Sequence, residues 1–252
     1  MTNATHVQSA DWVRTIESGE GYVVPQPEMF RQMLRSMPAY GFYRALSRHV
    51  RDGDTVAEAG CGWATSSFVL AERGIHVTAI DIAEQLITGL RGLQSRLGGK
   101  IASHLHLIAG DILKAPTVTG CDVVFSDGTY EHFHETETRK LFLQNMHLML
   151  RENGIHAVSV PNLCNPMFRF VADFKMPTMH TFTLRSLAAE LEAGGFTVLE
   201  TGYSFVNPGF SQWLKSPWMR YPMQLFAAAF PYFPRFLQHV CAVHIWCVTR
   251  KT

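Results

Sequence analysis

From residue 40 to residue 205, short β-branched or apolar runs alternate with longer stretches whose apolar positions recur every three or four residues. Thr55-Val56-Ala57 reads as a strand that runs into a glycine turn and then a helix over Ser66–Arg73. Ile75–Ile80 reads as a second strand, closed by Asp81. Ala83–Leu97 places Leu86, Leu90, Leu93 and Leu97 on one face, the stripe of a helix packed by one side. Leu105–Ile108 and Asp122–Phe125 read as third and fourth strands. Glu135–Arg151 reads as a helix stopped by Asn153-Gly154, followed by a fifth strand, Ile155–Val160, stopped by Pro161. Leu184–Ala193 is a helix closed by Gly194-Gly195, and Phe196–Thr201 and Val243–Val248 complete seven strands.

Strands alternating with helices require crossover connections, so the predicted fold class is α/β, a seven-stranded, mostly parallel sheet with helices on both faces. Ligands on such sheets bind at the carboxyl ends of the strands. Residues 1–50 are expected to form an N-terminal helical cap, with GYVVPQPEMF (21–30) as its loop. Residues 51–205 form the core, 206–239 an aromatic insertion, and 240–252 the last strand of the core. Between Tyr203 and Phe236, eleven of thirty-four positions are aromatic, and no acidic residue follows Glu200. That cationic, aromatic stretch suits a lid over the sheet edge, a wall for a lipophilic acceptor, or a peripheral contact of 203–239 with anionic lipid.

The 252 residues are 47% hydrophobic and 17% charged, enough apolar material for one sizeable core. A net charge of +1 excludes a global field that recruits nucleic acid. The most apolar run, LFAAAFPYFP at 225–234, is too short to span a bilayer and carries Pro231 and Pro234. The opening MTNATHVQSADWVRT has no apolar signal stretch, and Cys61, Cys121, Cys164, Cys241 and Cys247 are scattered without a CxxC pair. The expectation is a cytoplasmic protein with reduced thiols.

The chemistry concentrates at strand ends. In Glu58-Ala59-Gly60-Cys61-Gly62-Trp63-Ala64 a strand enters a glycine turn, where Gly60 and Gly62 allow positive φ and close approach of a ligand. Thr65 stands where a dinucleotide fingerprint needs its third glycine, and no phosphate-binding lysine follows. Glu58, two residues before the turn, suits a positively charged ligand. Asp81 can accept the two hydroxyls of a ribose. Gly110-Asp111-Ile112 offers an acceptor for an exocyclic amine and an apolar neighbour for a base, and Ser126-Asp127 closes the fourth strand. This row of acids suits a cationic nucleoside.

In order and spacing these segments resemble the class I S-adenosylmethionine-dependent methyltransferases. EAGCGWA is similar to their first motif, AIDIA to their ribose-binding acid, AGDIL to their adenine-binding acid and FSDGTYEHF to their fourth-strand motif. LMLRENGIHAVSVPN is similar to the helix, turn and strand that follow. The resemblance covers about residues 40–205 and the last strand, and implies a Rossmann-like sheet. It implies that Gly60, Cys61 and Gly62 contact the methionine part through backbone and that Glu58 faces its amino group. Asp81 would hold the ribose, Ile82 would pack on adenine, Gly110, Asp111 and Ile112 would read the adenine edge, and Ser126 and Asp127 would lie beneath the sulfonium. Ala64 departs from the glycine the family often has there.

Methyl transfer chiefly needs alignment, exclusion of water and, for a hydroxyl or ammonium acceptor, a base. His132, within Tyr130-Glu131-His132 after the fourth strand, is the expected base, with Tyr130 and Glu131 as further catalytic candidates and His180 as a weaker one. His132 and His134 with Glu131 and Glu135 lack a distant third ligand, so no metal is expected. GCGW, the Glu-Gln of IAEQL and YEHF also resemble the cyclopropane-fatty-acid synthase branch, where the residue matching Glu131 helps hold a bicarbonate base. The expected activity is therefore methyl transfer to a small or lipophilic acceptor, with S-adenosylhomocysteine as product. Lipid C-methylation, or S-adenosylmethionine binding without catalysis, are the alternatives.

Overall fold

The computed structural model describes residues 24–166, 179–205, 225–226 and 228–252. The first 23 residues of the expected cap, and Phe210, Trp213, Trp218 and Tyr221 of the aromatic insertion, lie outside the described residues.

Two helices, α1 (Pro27–Ser36) and α2 (Gly41–His49), precede the sheet. Helix α1 begins at Pro27, whose fixed φ and missing N–H suit the first helical position. The end of the 21–30 stretch expected as loop is therefore the first turn of a helix. The reason is burial: Phe30, completely buried, meets the ring of Phe68 edge-on at 4.8 Å.

The core follows as β1 (Thr55–Ala59), α3 (Thr65–Arg73), β2 (His76–Asp81), α4 (Glu84–Leu97), α5 (Gly99–His104) and β3 (Leu105–Ala109). Then come β4 (Cys121–Asp127), α6 (Thr136–Met149), β5 (Leu150–Pro161), α7 (Leu184–Ala193), β6 (Phe196–Ser204), α8 (Arg235–Cys241) and β7 (His244–Lys251). The sheet order is β3-β2-β1-β4-β5-β7-β6, with β7 antiparallel to both its neighbours and the rest parallel. The order reverses between β1 and β4, which opens the crevice where such sheets bind ligands.

Strand alternation divides the core. Val56, Val77, Val123 and Phe125 face α1–α5, joining Phe30, Phe68, Leu86, Leu90 and Leu93. Ala57, Ile80, Val124 and Val158 face α6 and α7, joining Phe142, Met146, Leu187 and Leu191. The α4 stripe read from the sequence is the buried one, at Leu86, Leu90 and Leu93.

One punctuation signal is used differently. Helix α6 ends at Met149 and passes directly into β5, so Asn153-Gly154 lies inside a strand rather than stopping a helix at Arg151. Asn153 takes φ +60° and the register against β4 shifts between Cys121 and Val123, a bulge. A Cβ at Gly154 would come within 2.9 Å of Leu150 Cδ2 and the Arg151 carbonyl, so only glycine fits the kink. Leu150, buried and paired with Cys121, commits the chain to the sheet before the turn residues arrive.

Candidate active site

The loop from β1 to α3 is tied to two neighbouring strand ends. Gly60 and Cys61 both donate their N–H to the Ile80 carbonyl at 2.9 Å, and Gly62 donates to Asp81 Oδ2 at 2.9 Å. Asp81 Oδ1 accepts from the Ala83 N–H at 3.0 Å. Burial raises the Asp81 carboxyl, while these N–H groups pull it back down. Gly60 (φ +70°), Gly62 (φ +49°) and Ala64 (φ +53°) all take the left-handed region. A Cβ on Gly60 would lie 2.4 Å from Thr129 Cγ2, and the Thr129 hydroxyl donates to the Gly60 carbonyl at 2.9 Å. The loop is thus clamped between β2 and the segment after β4.

Glu58 is 3% exposed, and its carboxylate accepts from the Ser67 hydroxyl. Burial holds it well above the usual carboxylate range, against the Ser67 hydrogen bond, with Asp127 and Asp81 adding to the rise. Cys61 is buried, its thiol raised by burial and then by Asp81 and Glu58. Ile82 is half-buried beside Asp81. Gly110 donates its N–H to the Asp81 carbonyl at 2.8 Å, which sets the β3 end beside β2. Asp111 Oδ1 accepts from Leu113 N–H at 3.0 Å, closing a turn that leaves Asp111 and Ile112 half-buried. The Ile112 carbonyl accepts from Asn145 Nδ2 at 2.9 Å.

At the end of β4, Ser126 is fully buried and its hydroxyl has no hydrogen-bond partner. Asp127 points instead to the α1–α2 side, where the Tyr40 hydroxyl donates to its Oδ1 at 2.8 Å. Tyr40 Oη also lies 3.1 Å from Ser159 Oγ and 3.4 Å from His244 Nδ1, and Ser159 Oγ lies 3.1 Å from that nitrogen. Burial, then Asp127, pushes the Tyr40 phenol well up, so it stays a donor. Tyr40, Ser159, His244, Thr129 and Ser67 are site residues that sequence reasoning did not single out. Thr129 and Ser159 carried a signal, their places in the FSDGTYEHF and LMLRENGIHAVSVPN segments.

A short 3₁₀ turn, Tyr130–His132, follows. It sends its three candidates in different directions. Tyr130 is fully buried, stacked on Phe182 at 5.4 Å, and its hydroxyl donates to Glu190 Oε1 at 3.0 Å. That carboxylate also takes Arg139 Nε at 2.6 Å, so the phenol is held within the α6–α7 packing. Glu131 is 2% exposed, its Oε2 has no partner, and its Oε1 lies 3.5 Å from where a Cβ on Gly128 would sit. Burial pushes the Glu131 carboxyl up to about 8, and Asp127 adds to the rise. His132 bonds the Gly128 carbonyl, and burial lowers the ring to about 4, with His134 adding, so it is a neutral imidazole near pH 7. His180 donates its N–H to the Glu131 carbonyl at 2.7 Å and sets its ring edge-on to Phe182 at 4.6 Å. Among the described residues, no three His, Cys, Asp or Glu are grouped to hold a metal. A separate concavity of about 380 Å³, lined by residues including Leu184, Arg185, Tyr203 and His239, contains none of these candidates.

The family described as "Methyltransferase domain" matches residues 51–198. No curated protein matches the sequence. Among solved structures, the chain is similar to a 1,6-didemethyltoxoflavin-N1-methyltransferase from Burkholderia thailandensis, crystallised with 1,6-didemethyltoxoflavin and S-adenosylhomocysteine. That match has a TM-score of 0.58 and 20% identity, over 100% of this chain and 92% of that one. It is similar as well to a geranyl diphosphate C-methyltransferase from Streptomyces coelicolor A3(2), with a TM-score of 0.59 and 12% identity, over 83% of this chain and 77% of that one. A "possible exported protein" from Bordetella parapertussis matches with a TM-score of 0.58 and 18% identity over 83% of this chain; this chain spans 65% of that protein's length. The chain belongs to the methyltransferase domain family, and its seven-stranded sheet is that of a class I S-adenosylmethionine-dependent methyltransferase.

Proposed function

We propose that the protein transfers the methyl group of S-adenosylmethionine to a small or lipophilic acceptor placed at the exit of β4, with Glu131 as the base that takes the acceptor's proton. The observation that carries this reading is the Glu131 carboxyl: buried, with Oε2 unpartnered, on the turn that follows Asp127. A buried polar atom without a partner costs about 1–3 kcal/mol, a cost that a ligand able to bond it would remove.

The residues present suit the donor. Asp81 uses one bond on each carboxylate oxygen for backbone N–H groups, which leaves lone pairs for the two hydroxyls of a ribose. The positive φ values of Gly60 and Gly62 turn loop backbone toward the crevice with no Cβ in the way. Ile82, Gly110, Asp111 and Ile112 would flank the adenine. The unpartnered Ser126 hydroxyl, with Asp127, would lie under the sulfonium. When bound, the donor supplies a methyl carbon already activated by its sulfonium.

The chain's own residues do the rest. Tyr40 holds Asp127 in place through its 2.8 Å bond, and Thr129 fixes the glycine loop. As carboxylate, Glu131 accepts the acceptor's proton at Oε2. His132, neutral and bonded to Gly128, orients the acceptor rather than competing for that proton. Tyr130, tied to Glu190, keeps the turn rigid. The toxoflavin-type and geranyl diphosphate acceptors of similar enzymes support a small or lipophilic acceptor as a class.

The test is transfer of labelled methyl from S-adenosylmethionine across metabolite and lipid fractions, with calorimetric titration of S-adenosylhomocysteine beside it. The expected outcome is one labelled product whose mass rises by a methyl. Binding of S-adenosylhomocysteine without transfer to any fraction would instead indicate a binding protein, and absence of binding would overturn the reading altogether.

A further inference from the structure

Helix α8 carries its apolar side chains outward. No residue of α8 is buried, and Phe236 is 68% exposed, with Leu237 and Val240 also exposed beside it. Tyr232, in the 3₁₀ turn just before the helix, is 88% exposed, and Leu225 is exposed to 68%. Burial of these side chains therefore cannot be what holds α8 in place.

Polar bonds at the end of the helix do that instead. Asn162 Nδ2 donates to the His239 carbonyl at 2.7 Å and to the Ala242 carbonyl at 3.0 Å, and Asn165 Nδ2 donates to the Ala242 carbonyl at 2.9 Å. At the other end, Gln238 Nε2 turns back to the Pro231 and Phe233 carbonyls at 3.1 and 2.8 Å. The turn before the helix joins an aromatic cluster: Phe205 meets Phe226 at 4.5 Å and Phe230 at 5.4 Å, and Phe226 meets Phe233 at 4.9 Å.

Its charge selects the occupant. After Glu200 the sequence has no acid, and of its five basic residues Arg235 is the one the described residues place at this face; Arg250 and Lys251 close the far end of β7, where Lys251 pairs with Glu152. Arg235 opens α8 beside the exposed rings, and no carboxylate among the described residues forms an ion pair with it. Aromatic and aliphatic side chains with an adjoining unpaired Arg and no acid match the headgroup–acyl boundary of an anionic bilayer. No helix among the described residues is long and apolar enough to cross a membrane, so the contact is peripheral.

We infer that the face formed by Tyr232, Arg235, Phe236 and Val240 docks the protein onto the surface of an anionic lipid bilayer. The docking is independent of the methyl-transfer reading and is tested without turnover. The full chain is sedimented with vesicles of phosphatidylcholine plus phosphatidylglycerol, and with phosphatidylcholine alone. The expected result is binding to the anionic vesicles that weakens with salt and on the neutral ones. Phe236→Ser and Tyr232→Ser should each lower the partition coefficient about tenfold, the worth of one large apolar side chain. Arg235→Glu should lower it about tenfold on anionic vesicles alone. Because these side chains face solvent, the variants should keep the wild-type circular dichroism and S-adenosylhomocysteine affinity. No sedimentation with anionic vesicles, or sedimentation unchanged by the three substitutions, overturns the inference. So does a dimer in size-exclusion chromatography that Phe236→Ser dissociates while vesicles bind nothing, which would assign the face to a second copy of the chain.

Discussion

Burial sets the chemistry of Glu131. Its carboxyl is pushed up to about 8 by burial, so near neutral pH it is largely protonated, and the proton leaves as pH rises. A base must first lose its proton, so turnover should climb with pH to a plateau above about 8. Glu131→Gln should lower kcat by about 10²–10⁴-fold and flatten that climb, with S-adenosylhomocysteine affinity retained. A pH–rate series on both proteins checks this, and an unchanged profile in the variant removes Glu131 from catalysis. The same shift has a stability consequence. A carboxyl raised in the folded state contributes stability that is complete below its unfolded pKa and is lost as pH rises through about 8. Ligand-free wild type should therefore lose more stability than Glu131→Gln as pH rises from about 4.5 to about 8. The sequence placed Glu131, His132 and Tyr130 together in one motif and favoured His132 as the base, whereas the unpartnered, buried carboxylate is Glu131. One bonds a glutamate on α7, one the Gly128 carbonyl, and one nothing at Oε2, and only the packing around the turn distinguishes these fates.

At the scale of elements, the β1–α3 loop shows how much local pattern can carry. Strand, glycine turn and helix were all legible from Glu58 to Arg73, because positive φ and periodic apolar positions leave a direct trace in residue type. The loop also stores a cost. Ala64, buried at φ +53°, has a Cβ in the left-handed region and caps α3 without a side-chain bond. Ala64→Gly should raise stability by about 1 kcal/mol, seen as a higher urea midpoint at unchanged slope. Gly60→Ala should act the other way, since its Cβ would drive into Thr129 at φ +70°. A loss of about 1–3 kcal/mol is expected from overpacking, together with weaker S-adenosylhomocysteine binding by calorimetry. The Asn153-Gly154 pair is the counterexample among elements. Its residue types announce a turn, and they make one, but inside β5, because a buried Leu150 had already paired with β4.

For the whole molecule, the two faces of the sheet differ in how polar groups are housed. On the α1–α2 side the Tyr40–Asp127–Ser159–His244 network ties the N-terminal helices to three strand ends. On β5, His156 is fully buried against Phe196 at 4.8 Å, and neither ring nitrogen has a partner. Burial lowers His156 to about 3, so the folded chain holds it neutral while the unfolded chain protonates it below about 6.5. A folded pKa depressed in this way contributes stability that is present above the unfolded value and lost as pH falls toward about 3. Wild type should thus lose stability on acidification from neutral pH, and His156→Phe should reduce that loss. The variant should also gain about 1–3 kcal/mol at pH 7 by removing two unpaired buried nitrogens. Thermal unfolding of both proteins across acid pH checks the prediction; parallel curves would refute it.

What the sequence by itself determined is the set of features written in short range: the alternation of strands and helices, the apolar stripe of α4, the glycine turn, and an acid at each of four strand ends. Each depends on a backbone preference or a period that neighbouring residues express without help. Tertiary structure alone decided which of those groups are desolvated and by what they are held. Tyr40 reaches Asp127 across 87 positions and His244 across 204, Thr129 closes on Gly60 across 69, and α8 shows its apolar side chains to solvent because asparagines from the end of β5 hold its carbonyls. Burial and hydrogen-bond partnership are properties of the packed assembly, set by elements far apart in the chain, and so they are absent from any window of sequence.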